Sequence, residues 1–303
     1  IVIHSYSNCR GMASIHTLNI SQVSLDGWSL PAWTYNDPEF ASVEIDRIFR
    51  PGWQVVCHVS DVPNSGDWHS LDYVGESVIV VRGADQQLRA FTNVCRHRGS
   101  RLVDGSSGCA KKLVCPYHAW TYNLDGSLRG APAMTRNDGF CKEEYQLPEV
   151  RCEEWLGWVF VTLNPEAGPV AGQLAKVEDL VGDYDMGAYT ETFFDTHVWN
   201  TNWKVLAENF MESYHLPVCH SGTIGGLSKL DEMICPPGEA AFNYHTILKN
   251  DSLKIALAHP NNTRLEGERR RTTYLLAIYP SLLITLTPGY FWYLTLHPLG
   301  VGQ

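Results

Sequence analysis

Two short runs, Cys95-Arg96-His97-Arg98-Gly99 and Cys115-Pro116-Tyr117-His118, constrain this 303-residue chain more than anything else in it. Each offers one thiol and one imidazole, and 17 residues separate His97 from Cys115. Donor pairs of this kind act together only if the fold sets two tight loops side by side, and Gly99 and Pro116 suit such loops. The surrounding sequence supplies a frame. Trp53–Cys57, Ser77–Val81, Leu88–Thr92, Ala119–Asn123 and Trp158–Leu163 are rich in β-branched and aromatic residues. Turn formers such as Pro63-Asn64-Ser65-Gly66 and Asp125-Gly126 punctuate them. Short strands at this spacing predict a β-sandwich or small barrel.

The donor set admits few occupants. A [2Fe-2S] cluster ordinarily takes four thiolates, and histidines replacing two of them on one iron raise its potential. Cys95 and Cys115 on one iron, with His97 and His118 on the other, satisfy that arrangement. Structural zinc also takes two cysteines and two histidines, but zinc fingers place a cysteine pair before a histidine pair. Here the types alternate.

A second constellation lies beyond the linker Asn164-Pro165-Glu166-Ala167-Gly168-Pro169. After an expected strand over Thr192–Trp199, the residues Trp203, Leu206, Ala207, Phe210, Met211 and Tyr214 recur at helical spacing. This predicts a helix over 203–215 capped by Thr201 or Asn202. Glu208, Glu212 and His215 then fall within about 60° on the other side, which by itself describes a solvated face. His220 gives it chemical meaning. On one helix His215 and His220 diverge, but Pro217 ends or kinks the helix after His215 and lets His220 turn back. Two histidines and a carboxylate make the facial triad of non-haem Fe(II).

The runs Cys95-x-His97 and Cys115-Pro116-Tyr117-His118-Ala119-Trp120 closely resemble the Rieske [2Fe-2S] motif of ring-hydroxylating oxygenases, where glycine commonly occupies the Ala119 position. Respiratory Rieske proteins link their loops by a disulfide at positions that are Ser100 and Tyr117 here. Asn202-Trp203-Lys204, Glu208-Asn209-Phe210 and Glu212-x-Tyr214-His215-x4-His220 are similar to the mononuclear-iron motif of the same oxygenase α subunits. The resemblance runs from about Trp28 onwards. It implies an α+β protein: a Rieske β-sandwich domain over 49–164 and a helix-grip catalytic domain over 165–303, an antiparallel sheet gripped by helices. Residues 1–48 would pack on the catalytic domain. His215 and His220 would bind the catalytic iron and Asn209 would line its pocket. Glu212, where the family normally has aspartate, would join His215 to His118 of a neighbouring subunit in a head-to-tail homotrimer. Some family members acting on quaternary ammonium compounds carry glutamate there. The implied activity is that of the oxygenase component of a multicomponent system. It takes dioxygen, and electrons from an NAD(P)H-dependent reductase with or without a ferredoxin. It would hydroxylate, dihydroxylate or demethylate a small aromatic or betaine substrate. The other reading is a Rieske electron carrier without oxygenase activity, which leaves Glu212, His215 and His220 idle. The family's third iron ligand is an aspartate on a later helix. The sequence stops at Gln303, so that ligand is expected to be missing, with the catalytic domain truncated at its C-terminal end.

Composition narrows the remaining classes. Lys and Arg number 23 against 33 Asp and Glu, a net charge of -10, which argues against nucleic-acid binding. The basic run Arg269–Arg271 is expected to be a solvated turn. The most apolar stretch, Tyr274 to Leu296, is broken by Pro280, Ser281, Pro288 and Gly289, whereas a membrane span needs about 20 mostly apolar residues. No membrane association is expected. Nine scattered cysteines suggest a reducing, cytoplasmic setting. The first methionine is Met12, so residues 1–11 are read as upstream sequence. Asp37 is a candidate cap for a helix over 37–49, with Pro38 in its first turn.

Overall fold

The computed structural model describes residues 29–226, 229, 232–250 and 254–303. Helix α1 (Pro38–Glu44) begins as expected: Asp37 accepts the Phe40 N–H at 2.9 Å, and a further turn carries the backbone through Ile45–Phe49. Ten strands follow: β1 (Gln54–His58), β2 (Asp67–Tyr73), β3 (Glu76–Arg82), β4 (Leu88–Thr92), β5 (Ser107–Cys109), β6 (Leu113–Val114), β7 (Thr121–Tyr122), β8 (Leu128–Gly130), β9 (Glu149–Trp155) and β10 (Trp158–Thr162). Seven form an antiparallel sheet in the order β1-β10-β9-β4-β3-β2-β5, and β6-β7-β8 form a small second sheet. Between the two, Ile79, Val81, Phe91, Leu113, Trp120, Tyr122 and Leu128 make a dry core. That core anchors both Cys/His loops, because the first follows β4 and the second joins β6 to β7.

The second half carries α2 (Val170–Val181), α3 (Trp203–Met211), α4 (Leu216–Cys219) and a five-stranded antiparallel sheet: β11 (Met233–Ile234), β12 (Phe242–Leu248), β13 (Thr272–Ile278), β14 (Leu282–Leu286) and β15 (Phe291–Thr295), paired in sequence order. Every residue of β13 is buried, since the sheet is covered on both faces. Tyr274, Leu276, Ile278 and Ile284 meet α2 and the β1/β10 edge of the large sheet through Trp158, Phe160, Leu174 and Val177. Leu275, Ala277, Leu283 and Ile247 meet α3 through Met211, Leu206 and Phe210. Helix packed on antiparallel sheet is the expected α+β architecture. Residues 35–44 are fastened to α3. Lys204 and Glu44, both buried, pair at 2.8 Å; Trp203 Nε1 also donates to Glu44, and Asn202 donates to the Tyr35 carbonyl.

Several local expectations change. Thr192–Trp199 forms no strand; its β-branched and aromatic residues lie on the surface, Phe193 being 80% exposed. Arg269–Arg271 is not a free solvated run: Arg269 pairs with Asp183, and Arg270 donates to the carbonyls of His259, Asn262 and Leu265. The expected helix over 203–215 ends at Met211. Proline disturbs a helix chiefly at the carbonyl four residues upstream, here Ser213, so Pro217 acts before His215 rather than after it. Pro217 itself sits in the first turn of α4, where its missing N–H is harmless. The eight described cysteines are all free thiols, and no helix among the described residues is long and apolar enough to cross a membrane.

Candidate metal centres

The two Cys/His loops share one backbone pattern. Cys95 N–H donates to Ser100 O at 2.8 Å and Gly99 N–H returns to Cys95 O at 3.0 Å; Cys115 N–H donates to Trp120 O at 2.8 Å and Ala119 N–H returns to Cys115 O at 3.0 Å. The fifth residue of each loop is left-handed, Gly99 at φ 71° and Ala119 at φ 57°. Both thiols are 2 % exposed and lie within hydrogen-bonding reach of each other. His118 stands at the surface and His97 is half-buried, their rings 4.6 Å apart. The aromatic neighbours are close: Trp120 stacks on His97 at 4.8 Å and Tyr117 lies 3.8 Å from His118.

Backbone and hydroxyl donors surround the sulfurs. Burial works against ionisation of Cys115, yet the N–H groups of Tyr117 and His118, with the Cys95 thiol and the Ser100 hydroxyl, bring it below the usual thiol range. Burial keeps Cys95 above that range, opposed by the Tyr122 hydroxyl at 3.4 Å and the His97 N–H. The Tyr122 oxygen also accepts the Arg96 N–H at 3.1 Å. His97 Nδ1 is buried with no hydrogen-bond partner. Buried polar atoms are nearly always satisfied, so an orphan ring nitrogen beside two paired thiols fits a metal-bound donor. The residues therefore suit a cluster with sulfurs inward and imidazoles outward.

The second centre is built on the break after α3. Asn202 caps α3, accepting the Lys204 N–H at 3.0 Å. At its far end Glu212 leaves helical geometry (φ -110°, ψ 123°), so Glu208, Glu212 and His215 do not share one helix face as expected. Glu208 instead accepts the Tyr35 hydroxyl at 2.6 Å. Glu212 wraps His215: one carboxylate oxygen accepts its backbone N–H at 3.1 Å and the other meets Nδ1 at 2.7 Å. A carboxylate on Nδ1 fixes the proton there and leaves the Nε2 lone pair for a metal. His215 and His220 flank the single turn of α4, and their rings converge to 5.3 Å at 62°. Asn209 is exposed in the last turn of α3, and its carbonyl accepts the Glu212 N–H. Among the described residues no third His, Cys, Asp or Glu completes a set round these histidines; Asp231 and Asp251, the acids that follow in the sequence, lie outside those residues.

Comparison with known proteins draws both centres into one family. The Rieske [2Fe-2S] domain matches residues 52–151 and the ring hydroxylating alpha subunit (catalytic domain) matches residues 183–303. The carnitine monooxygenase oxygenase subunit of Escherichia coli K12 is 32% identical over 272 residues, covering 87% of this chain and 68% of that protein. The chain belongs to the Rieske oxygenases. It is an oxygenase component of that family, whose members bind a Rieske cluster and mononuclear iron. The glycine betaine monooxygenase oxygenase subunit of Pseudomonas aeruginosa PAO1 is 34% identical over 235 residues, 77% of this chain and 54% of that protein. The solved structure of a quaternary ammonium Rieske monooxygenase, described with carnitine oxidation and inter-subunit electron transfer, superposes with a TM-score of 0.79 at 26% identity. It covers 91% of this chain and 73% of that one.

Sequence reasoning did not single out Tyr122 or the stacking of Trp120 on His97. Both lie in or beside the second half-motif, and a buried hydroxyl two residues after an aromatic neighbour of the loop was the available signal.

Proposed function

We propose that this Rieske oxygenase oxidises a C–H bond next to the nitrogen of a quaternary ammonium substrate such as a betaine. The observation that carries the reading is the grip of Glu212 on His215, with His220 converging on the same space. Glutamate stands where aspartate is usual in the resemblance, and the carnitine and glycine betaine oxygenases among the relatives point the same way. In this reading Cys95, Cys115, His97 and His118 hold the cluster, and His215 and His220 hold the iron. When bound, the two centres supply dioxygen activation: two electrons and two protons are consumed, one oxygen atom entering the substrate and the other leaving as water.

The protein's own residues set the conditions for that chemistry. Glu212 holds the proton of His215 on Nδ1 and keeps the ring from rotating. Trp120 and Tyr117 cover the faces of the cluster imidazoles. Asn209 lines the space beside the histidine pair. Glu212 also offers a carboxylate to His118 of a neighbouring subunit, so electron transfer runs across a homotrimer boundary. A separate NAD(P)H-dependent reductase supplies the electrons. The domain limits that go with this reading are 49–164 for the cluster domain and 165–303 for the catalytic domain.

The test is turnover of the iron-loaded protein with a reductase, NADH and dioxygen against glycine betaine and L-carnitine, following substrate-dependent NADH use and product. Coupled product formation is expected. His215→Ala should keep the visible spectrum of the cluster and form no product; activity surviving in that variant would remove the mononuclear assignment. Absence of coupled product with any quaternary ammonium compound would overturn the substrate class.

A further inference from the structure

Strand β12 carries a polar row that the catalytic reading leaves unused. Phe242 packs on the α2 side of the sheet with Tyr244 against the same core, so alternation turns Asn243, His245 and Ile247 towards α3. Ile247 and its neighbours Leu275 and Leu283 contact Met211 there. In register, His245 stands opposite Leu275 and Ile247 opposite Thr273, which places Thr273 diagonal to His245 on the same face. The neighbours on this face, Ile247, Leu275, Ala277 and Leu283, are hydrocarbon, with Thr285 opposite Leu275 the exception. Yet His245 Nδ1, Asn243 Oδ1 and Thr273 Oγ1 are all buried with no hydrogen-bond partner, as is the Oγ of Ser213, the residue after Glu212. Glu212 lies close enough for its charge to act on His245. Burial holds the His245 imidazole below its ordinary range, so it is a neutral ring with one N–H to donate.

Buried polar atoms left unpaired are a standing penalty for the fold, and two that can donate, on the wall that meets the C-terminal end of α3 next to Glu212, call for an acceptor that arrives with the substrate. A trimethylammonium group has no N–H and no lone pair, so it cannot satisfy them. The carboxylate of a betaine can pair with two of them: it accepts hydrogen bonds from the His245 imidazole N–H and the Thr273 hydroxyl, while the cationic end is left towards His215 and His220. Asn243 Oδ1, an acceptor, takes no part in that contact.

We propose that His245, supported by Thr273, is the specificity-determining residue that receives the substrate carboxylate. This rests on the reading that a quaternary ammonium compound reacts beside His215 and His220.

The experiment compares glycine betaine with tetramethylammonium, which lacks the carboxylate, in the iron-loaded protein with its reductase. Calorimetric binding of each probe is measured alongside turnover. Replacing a hydrogen-bond donor to a charged acceptor, His245→Phe should raise KM and Kd for glycine betaine by about 10- to 100-fold. It should leave tetramethylammonium unchanged. Thr273→Val, nearly isosteric, should move glycine betaine in the same direction by less, and His245→Gln, which keeps a donor, should restore part of the loss. Should His245→Phe fail to fold, Thr273→Val and His245→Gln carry the comparison. Equal effects on both probes, or none on glycine betaine, would overturn the assignment while the substrate reading stands. Wild-type protein that binds and turns over neither probe would overturn both.

Discussion

Ala119 occupies a backbone position made for glycine, and replacing it tests the cluster loops without touching a donor. The residue sits at φ 57° at the end of the second loop, in the place Gly99 holds at φ 71° in the first. A left-handed L-residue costs about 1–2 kcal/mol, while glycine loses about 0.4–1 kcal/mol more conformational entropy on folding than alanine. Ala119→Gly should therefore stabilise the loop by about 0.5–1 kcal/mol. Gly99→Ala should do the reverse by a similar amount: no atom lies within 4 Å of a Cβ built there, so the cost is backbone strain alone. The assay is urea denaturation of the loaded protein, following cluster absorbance and far-ultraviolet circular dichroism together. Ala119→Gly should shift the midpoint up and Gly99→Ala down. A fall for Ala119→Gly, or a rise for Gly99→Ala, would refute the left-handed geometry and the equivalence of the two loops.

Glu212→Gln keeps an oxygen for the His215 N–H but removes the charge that faces Nδ1; iron and cluster content should stay near wild type while single-turnover product formation slows at least tenfold, as read by rapid quench. Tyr122→Phe removes a hydroxyl 3.4 Å from Cys95 Sγ. Donors to a thiolate favour the more negative reduced cluster, so its potential should fall by about 60 mV, the one-electron equivalent of about 1.4 kcal/mol, measured by spectroelectrochemical titration. The Lys204–Glu44 pair has side chains only 7% and 5% exposed. Leaving one charge buried alone costs about 3–5 kcal/mol, so Glu44→Ala should lower the urea midpoint strongly, with an unchanged cluster spectrum in the protein that remains folded.

The strands that were legible in the sequence are those whose own composition decides them: Leu88–Thr92 has the observed limits, and Trp158–Leu163 differs from β10 only at its last residue. Among those that escaped, β2 and β9 are rich in charged or polar residues, Asp67, His69, Ser70 and Asp72 in one and Glu149, Arg151, Glu153 and Glu154 in the other. Their pairing comes from neighbours, not from local preference. Thr192–Trp199 failed in the opposite sense. It has strand-like residues but no partner, and propensity without a ladder makes no strand. The cluster donors were legible because chemistry restricts them to a few residue types at fixed spacing. The polar row Asn243, His245 and Thr273 was not, since it exists only once β12 and β13 are in register.

The break after α3 shows how one misplaced helix end alters a site. Had the helix continued to His215, Glu212 would have stood one turn below it as a solvated surface pair, worth a few tenths of a kcal/mol. Pro217 forbids that by crowding the Ser213 carbonyl, and Leu216 N–H takes that carbonyl instead at 3.2 Å. The backbone then re-enters helix for the single turn of α4, with His215 at its start and His220 just past its end. His215 keeps helical angles (φ -75°, ψ -20°) but His220 does not (φ -111°, ψ 24°), so the i, i+5 pair does not sit on a continuous helix, where it would diverge. The same non-helical backbone lets Glu212 reach both the N–H and the Nδ1 of one residue. Restoring a helix former at the break should undo this: Pro217→Ala would let α3 extend towards His215, raising helical circular dichroism slightly and weakening iron retention, while the cluster spectrum stays as it was. Iron content unchanged in Pro217→Ala would mean that the break is set by Glu212 and Ser213 themselves, not by the proline downstream.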